Sequence, residues 1–265
     1  MNLLGRRNFT LVLPFISPTR SLSTTTHRTM PTPTKNTEKK SEQSAAKFWD
    51  KMAPSYSKQP IGDEASYQKK LQITRGYLRP DMEVLEYGCG TGGTSLIHAP
   101  YVRHILATDI SQQMIGIAKT KAEEAKVTNV DFKQASIEEL CTSISSNSLD
   151  AVLGLSILHL VPNRQEVIKQ TYQWLKPGGL FITSTICIND MGGVVRPLMK
   201  VAAPIGRFFG FFPPQFVLAT FSKDELTKEF RDAGFDIEHE WRPEDKKTGK
   251  PKKDAAAFII GKKPA

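Results

Sequence analysis

From Ser44 onward the chain switches repeatedly between two kinds of apolar spacing. Helical patterns, with apolar side chains recurring every three or four residues, are placed near 44–52, 64–78, 93–99, 111–125 and 163–175. Between the later ones lie short apolar runs of strand type, at 82–87, 104–109, 129–134, 149–155 and 179–186. Ser111 stands where an N-cap is needed, and Lys176-Pro177-Gly178-Gly179 stops the helix before the fifth strand. Strands separated by helices predict a parallel sheet with right-handed crossovers.

The C-terminal part breaks this alternation. Ser222 and Glu225 form a capping box for a helix that runs to Ala233. Phe235 to Trp241 and Ala255 to Gly261 then read as two strands joined by a polar stretch, with no helix between them. They are expected to pair antiparallel at one end of the sheet. The fold class is therefore α/β: a single, doubly wound, mostly parallel Rossmann-like sheet with an antiparallel C-terminal strand pair. No internal repeat and no separate substrate domain is found.

Composition changes this picture only at the N-terminus. The apolar share is 39% and the charged share 24%, ordinary values for a globular chain of 265 residues. The net charge of +9 is unevenly spread. Residues 1–40 hold seven Lys/Arg and one acid; the remainder holds 29 and 26. The body thus carries little excess charge, which argues against a nucleic-acid partner, since neutralising phosphates needs a clustered basic face. Cys89, Cys141 and Cys187 show neither a disulfide framework nor a zinc pattern, and suggest a reducing compartment. No apolar run reaches the length of a membrane-spanning helix.

Residues 1–30 contain Arg6, Arg7, Arg20 and Arg28, many Ser and Thr, and no acid. That is the composition of an organelle transit peptide, most simply mitochondrial. A plastid address, a secretory signal, or a plain tail with Met30 as an alternative start are the competing readings. Residues 31–43, polar and Pro-containing, are expected to be a linker to the domain at 44–265.

The chemistry centres on Val84 to Leu96, VLEYGCGTGGTSL. Its glycines follow a strand and open a helix, where missing Cβ atoms let a ligand approach backbone amides. Read as Gly88-x-Gly90-x-x-Gly93, the loop matches the dinucleotide fingerprint. Read as Glu86-x-Gly88-x-Gly90-x-Gly92, it places a carboxylate beside the turn. A pyrophosphate prefers the positive end of the following helix, without a competing negative charge. A carboxylate suits an ammonium group, which favours the methionine part of S-adenosylmethionine (SAM). Asp109, at the end of the second strand, fits the ribose hydroxyls of either ligand.

Several segments together carry a resemblance. EYGCGTGG resembles motif I of the class I SAM-dependent methyltransferases, and ATDIS, ending on Asp109–Ser111, resembles their second-strand end. LDAVLGLSILHLVPN (149–163), WLKPGGLFITST (174–185) and FSKDELTKEFRDAGFDIE (221–238) resemble later motifs in the same order. FWDKMAPSY (48–56) is similar to the N-terminal lid motif of the ubiquinone/menaquinone-biosynthesis type of small-molecule methyltransferase. The resemblance covers most of residues 44–262. It implies that Glu86, Gly88, Cys89, Gly90, Thr91 and Gly92 surround the methionine end of SAM. It puts Asp109 on the ribose and Ile110 and Met114 on adenine. Ala135, Ser136 and Ile137 stand where the family often has an acidic adenine contact, with Ser136 at that place. Leu155 and Ser156 line the methionine side, and Tyr56 closes over the cofactor.

Each residue also has a plainer reading. Glu86 and Asp109 could be structural acids and Cys89 loop filler. His159 is either a packed core histidine or a general base near the emerging methyl group. Tyr56 is either lid packing or an acid–base group; His98 and His104 are surface or packing residues. Residues 188–220, rich in Phe and nearly free of acids, are read as a substrate cover for an apolar or aromatic small-molecule acceptor. They offer a possible peripheral membrane contact through Arg196, Lys200 and Arg207. The expected activity is methyl transfer from SAM. The competing classes are a SAM-binding accessory or assembly factor and a nicotinamide oxidoreductase. No metal is expected, and oligomeric state is not legible.

Overall fold

The computed structural model describes residues 35–161, 163–190, 221–244 and 256–265, with single positions 198, 202, 206, 248 and 252 besides. The transit peptide read at 1–30 lies outside them, as does nearly all of the cover segment beyond Asp190. The described chain runs α1 (Lys35–Tyr56), α2 (Glu64–Tyr77), β1 (Glu83–Tyr87), α3 (Gly93–His98), β2 (His104–Asp109), α4 (Gln112–Glu124), β3 (Val130–Gln134), α5 (Ile137–Ser143), β4 (Leu149–Leu155), α6 (Arg164–Trp174), β5 (Leu175–Thr185), α7 (Lys223–Asp232), β6 (Asp236–Trp241) and β7 (Ala257–Lys262).

The sheet order is β3-β2-β1-β4-β5-β7-β6. Strands β1 to β5 pair in parallel, and β7 runs antiparallel to both β5 and β6. The order reverses between β1 and β4, so a crevice for ligands opens beyond the carboxyl ends of those strands. Each face of the sheet is covered. Leu85, Val152 and Phe181 pack on one side with Leu140, Ile168, Leu226 and Phe230 of α5, α6 and α7. Val84, Ile105 and Leu153 pack on the other with Leu96, Ile115, Ala118 and Ala122 of α3 and α4. β7 is buried from Ala257 to Gly261, whereas β6 beside it is only partly buried. A strand with apolar residues on both faces belongs inside a sheet, which is why the last strand lies inside β6.

Two boundaries and one element differ from the sequence reading. Helix α1 begins at Lys35, inside the stretch expected to be a linker. Glu, Lys and Gln are strong helix formers, and fully buried Ala45 and Ala53 lie on this helix, so a polar composition here marks a solvated helix face. α5 was not expected at all; Ser136 and Glu139 form its capping box, a signal present in the sequence. β5 starts at Leu175, four residues early, because the backbone resumes pairing with Leu149 before the Pro177-Gly178 irregularity.

His98, read as a surface or packing residue, is fully buried, and neither ring nitrogen has a hydrogen-bond partner among the described residues. Burial, and then the charge of Arg75, lowers its pKa to about 4. A pKa depressed by folding gives stability that is full above the unfolded value of 6.5 and is lost as pH falls towards 4. At pH 5 this loss is roughly 2 kcal/mol. His98→Phe should therefore lose less melting temperature than the wild type between pH 7 and pH 5. Equal slopes in paired melts followed by circular dichroism would refute the assignment.

Candidate active site

The glycine turn joins β1 to α3, and its glycines serve different masters. Gly88, Gly90 and Gly92 all have positive φ, at 67°, 54° and 74°. A Cβ at Gly88 would lie 2.9 Å from Ile157, and one at Gly92 would lie 2.8 Å from Phe132 and 2.9 Å from Ala118. Those two positions are required by the packing of the protein itself. Among the described residues a Cβ at Gly90 would meet only the Tyr56 ring, at 3.9 Å, so they leave this face of the loop open between the turn and α1. Gly92→Ala should destabilise the fold by about 3 kcal/mol, from backbone strain plus overpacking. Gly90→Ala should cost only about 1–2 kcal/mol from the backbone, falling instead on ligand binding. Thermal melts of the two variants check this; equal losses would contradict it.

Beneath the turn lies Glu86, 2% exposed. Its Oε2 accepts a hydrogen bond of 2.6 Å from the Ser95 hydroxyl on α3. Burial raises its pKa to about 7, against the opposing effect of that bond. The side chain lies under the first turn of the helix that the glycines open. Cys89 is buried, its N–H bonded to the Thr108 carbonyl, and its thiol pKa is raised by burial, then by Glu86 and Asp109. It is a poor nucleophile at neutral pH. Thr91 accepts a hydrogen bond from Lys121 Nζ at 3.0 Å, which ties the turn to α4.

Asp109 ends β2 with both carboxylate oxygens engaged: Oδ2 accepts from Gly90 N at 3.0 Å, and Oδ1 from Ser111 N at 2.9 Å. Burial raises its pKa, against the lowering effect of these bonds. Each oxygen keeps a second lone pair, so ribose hydroxyls can still be accepted. Ile110 follows directly, and Met114 is buried on the first turn of α4. Ala135 N–H bonds to the Asp109 carbonyl, holding the end of β3 beside it. The Ser136 hydroxyl accepts from Glu139 N, so its oxygen serves as the N-cap of α5, leaving its O–H to donate; Ile137 opens that helix.

Across the switch point, Leu155 ends β4. Ser156 takes positive φ (58°), with its N–H on the Ser184 carbonyl at 2.7 Å. This bend carries the chain over Gly88 through Ile157 and leads to His159. His159 Nδ1 lies 3.1 Å from the Thr185 hydroxyl at the end of β5. Burial lowers its pKa to about 4, so the ring is neutral at physiological pH. Tyr56 closes α1 in edge contact with Trp49, and is 47% exposed. Burial of its hydroxyl end, and then the Asp109 carboxylate, raises its pKa.

Glu86, Asp109, the glycine turn and Tyr56 are thus brought together at the carboxyl ends of β1 and β2. His159 stands at the ends of β4 and β5. Three contributors escaped sequence reasoning. Ser95 holds Glu86, Lys121 holds Thr91, and Asp50 of α1 accepts hydrogen bonds from Ser111 Oγ and Gln113 N. Asp50 sits inside the segment FWDKMAPSY, but its pairing with Ser111 spans 61 residues and left no local signal. The residues fit SAM: a buried carboxyl for its ammonium group, a Cβ-free open face at Gly90, and an acid at the ribose position.

Comparison with known proteins bears on the family and the fold. A family model described as a methyltransferase domain matches residues 78–237. Demethylmenaquinone methyltransferase of Listeria welshimeri is 27% identical over 215 residues, covering 73% of this chain and 88% of the relative. Ubiquinone biosynthesis O-methyltransferase of Acinetobacter baylyi is 30% identical over 107 residues, covering 40% of this chain and 44% of that protein. Among solved structures, YcgJ from Bacillus subtilis superposes with a TM-score of 0.57 at 18% identity, over 75% of this chain and 99% of its own. The cyclase SpnF does so with a TM-score of 0.66 at 18% identity, over 85% and 96%. At such identities the structural likeness speaks for the fold, and the family match speaks for the chemistry. The chain belongs to the methyltransferase-domain family and is a SAM-dependent methyltransferase.

Proposed function

We propose that the acceptor is a small, apolar aromatic compound of the quinol or phenol class. SAM supplies an electrophilic methyl group on a sulfonium. The residues of this chain have to bind, orient and exclude water. Glu86 holds the ammonium end, Asp109 the ribose, and Tyr56 shields the open side of Gly90. His159, neutral and hydrogen-bonded through Nδ1, leaves Nε2 to receive the acceptor's hydroxyl proton when its tautomer places the hydrogen on Nδ1. Thr185 then accepts that Nδ1–H.

The observation that carries the cofactor half is Glu86, a carboxyl buried under an open glycine face. The acceptor class rests on the relatives that act on demethylmenaquinone and in ubiquinone biosynthesis, and on a neutral histidine at the acceptor side. The test is calorimetric titration of the full chain with SAM and with NADH, followed by transfer from methyl-labelled SAM to a panel of hydroxylated quinols, thiols and amines. SAM binding and a labelled quinol or phenol are expected. Label on a thiol or amine alone would overturn the acceptor class. The fold also houses a cyclase, SpnF, so a non-transferring accessory role is the second reading; turnover with any acceptor excludes it.

A further inference from the structure

Asp50 lies on α1, far in sequence from the glycine turn, yet only Ser111 stands between it and Asp109, the residue at the ribose position. Its Oδ1 accepts from the Ser111 hydroxyl at 2.7 Å and from Gln113 N at 3.0 Å. Ser111 Oγ in turn accepts from Met114 N at 3.1 Å, so the hydroxyl both caps α4 and hands its proton to Asp50. Ser111 N donates to Asp109 Oδ1 at 2.9 Å, and Asp109 Oδ2 accepts from Gly90 N at 3.0 Å. A continuous chain of hydrogen bonds therefore runs from α1 through Ser111 and Asp109 to Gly90. The same α1 returns to Gly90 from the other side through Tyr56, whose ring is the only group among the described residues within 4 Å of a Cβ placed there.

The chemistry of this loop is specific. The first N–H groups of a helix have no partner within it, and its N-terminus attracts negative charge. Asp50 and Asp109 both answer that attraction at α4, one from each side of Ser111. The cost of bringing two carboxylates together is met by the amides and the hydroxyl between them. Removing Asp50 frees α1 at the point where it is pinned, six residues before Tyr56.

We propose that Asp50 is a positioning residue that couples the seating of α1, and of Tyr56 over Gly90, to the ribose end of the cofactor site. This rests on the reading of that site as the SAM site. Bound cofactor fixes Asp109, Asp109 fixes Ser111, and Ser111 fixes Asp50; seating of α1 in turn lowers the rate at which cofactor leaves.

The experiment is a double-mutant cycle on the full chain, Asp50→Ala, Tyr56→Ala and both, with Asp50→Asn as the conservative variant. SAM affinity is read by calorimetry and α1 by amide exchange over residues 48–56. Asp50→Ala should weaken SAM about tenfold, the size expected for losing a charge-assisted hydrogen bond. It should also speed exchange in α1 without ligand. Adding Tyr56→Ala should weaken SAM no further, because both changes act through the same seating. Asp50→Asn, which keeps the accepting oxygen, should restore most of the affinity. Full additivity of the two Ala variants, or SAM affinity unchanged in Asp50→Ala while the wild type binds, overturns the coupling alone. A wild type that fails to bind SAM overturns the cofactor reading and the coupling with it, even if α1 exchange responds to Asp50.

Discussion

Glu86→Gln is expected to make the protein more stable at pH 8 and to weaken SAM binding about 100-fold, the scale of losing one partner of a buried charge pair. The two effects share one cause. Burial raises the Glu86 pKa to about 7, above its unfolded value of 4.5. A group whose pKa is raised on folding gives its full stability below the unfolded value and loses it as pH rises through the folded value. The wild type therefore loses stability between pH 4.5 and 7, where the unfolded chain has already released this proton. Glutamine keeps an oxygen for the Ser95 hydroxyl and has no proton to lose. Paired melts from pH 4.5 to 8 should show a difference that grows with pH, and calorimetry should show the loss of SAM. A variant that binds SAM normally would remove Glu86 from the site; one that is less stable at pH 8 would contradict the cost of its ionisation.

His159→Gln is expected to lower kcat by about 100-fold, the lower end of what positioned acid–base catalysis contributes, while leaving SAM affinity unchanged. Glutamine retains a hydrogen bond to Thr185 but cannot take a proton. The His159 pKa of about 4 sharpens the expectation. The neutral imidazole is the active form, so its contribution should be constant above about pH 5 and decline only as pH approaches 4. Single-turnover rates with the labelled acceptor across that range check both statements. An unchanged kcat in the variant would return His159 to a packing role, and would fit an acceptor atom that needs no base.

The sequence revealed the parts of this protein whose physics is local. Five parallel strands announced themselves as short apolar runs, and the capping box at Ser222 located the last helix correctly. Glu86 and Asp109 stood out because each is fixed relative to the glycine turn by strand register. What escaped was non-local. Ser95 and Lys121 acquire their roles only when α3 and α4 fold back on the turn. Asp50 meets Ser111 across 61 residues, a pairing that no spacing rule contains. The length of α1 was missed for a different reason: a polar stretch reads as a linker until its small residues find a helix to lie against. Ser136 illustrates a third case: its capping role at α5 was written in the sequence, with Glu139 three residues on, but was not read there.

The placement of β7 has a bearing on how the molecule is made. Five strands and every described helix precede Phe235 in the chain, but the sheet cannot seal its β5 margin until residues 257–262 arrive. β6 is in a similar position, because its ladder is to β7 alone. Between the emergence of β5 and that of β7 a nascent chain therefore carries an unpaired, largely apolar margin, a surface open to mispairing with other chains. A stop codon just before Ala257 would leave β5 and β6 without their common neighbour.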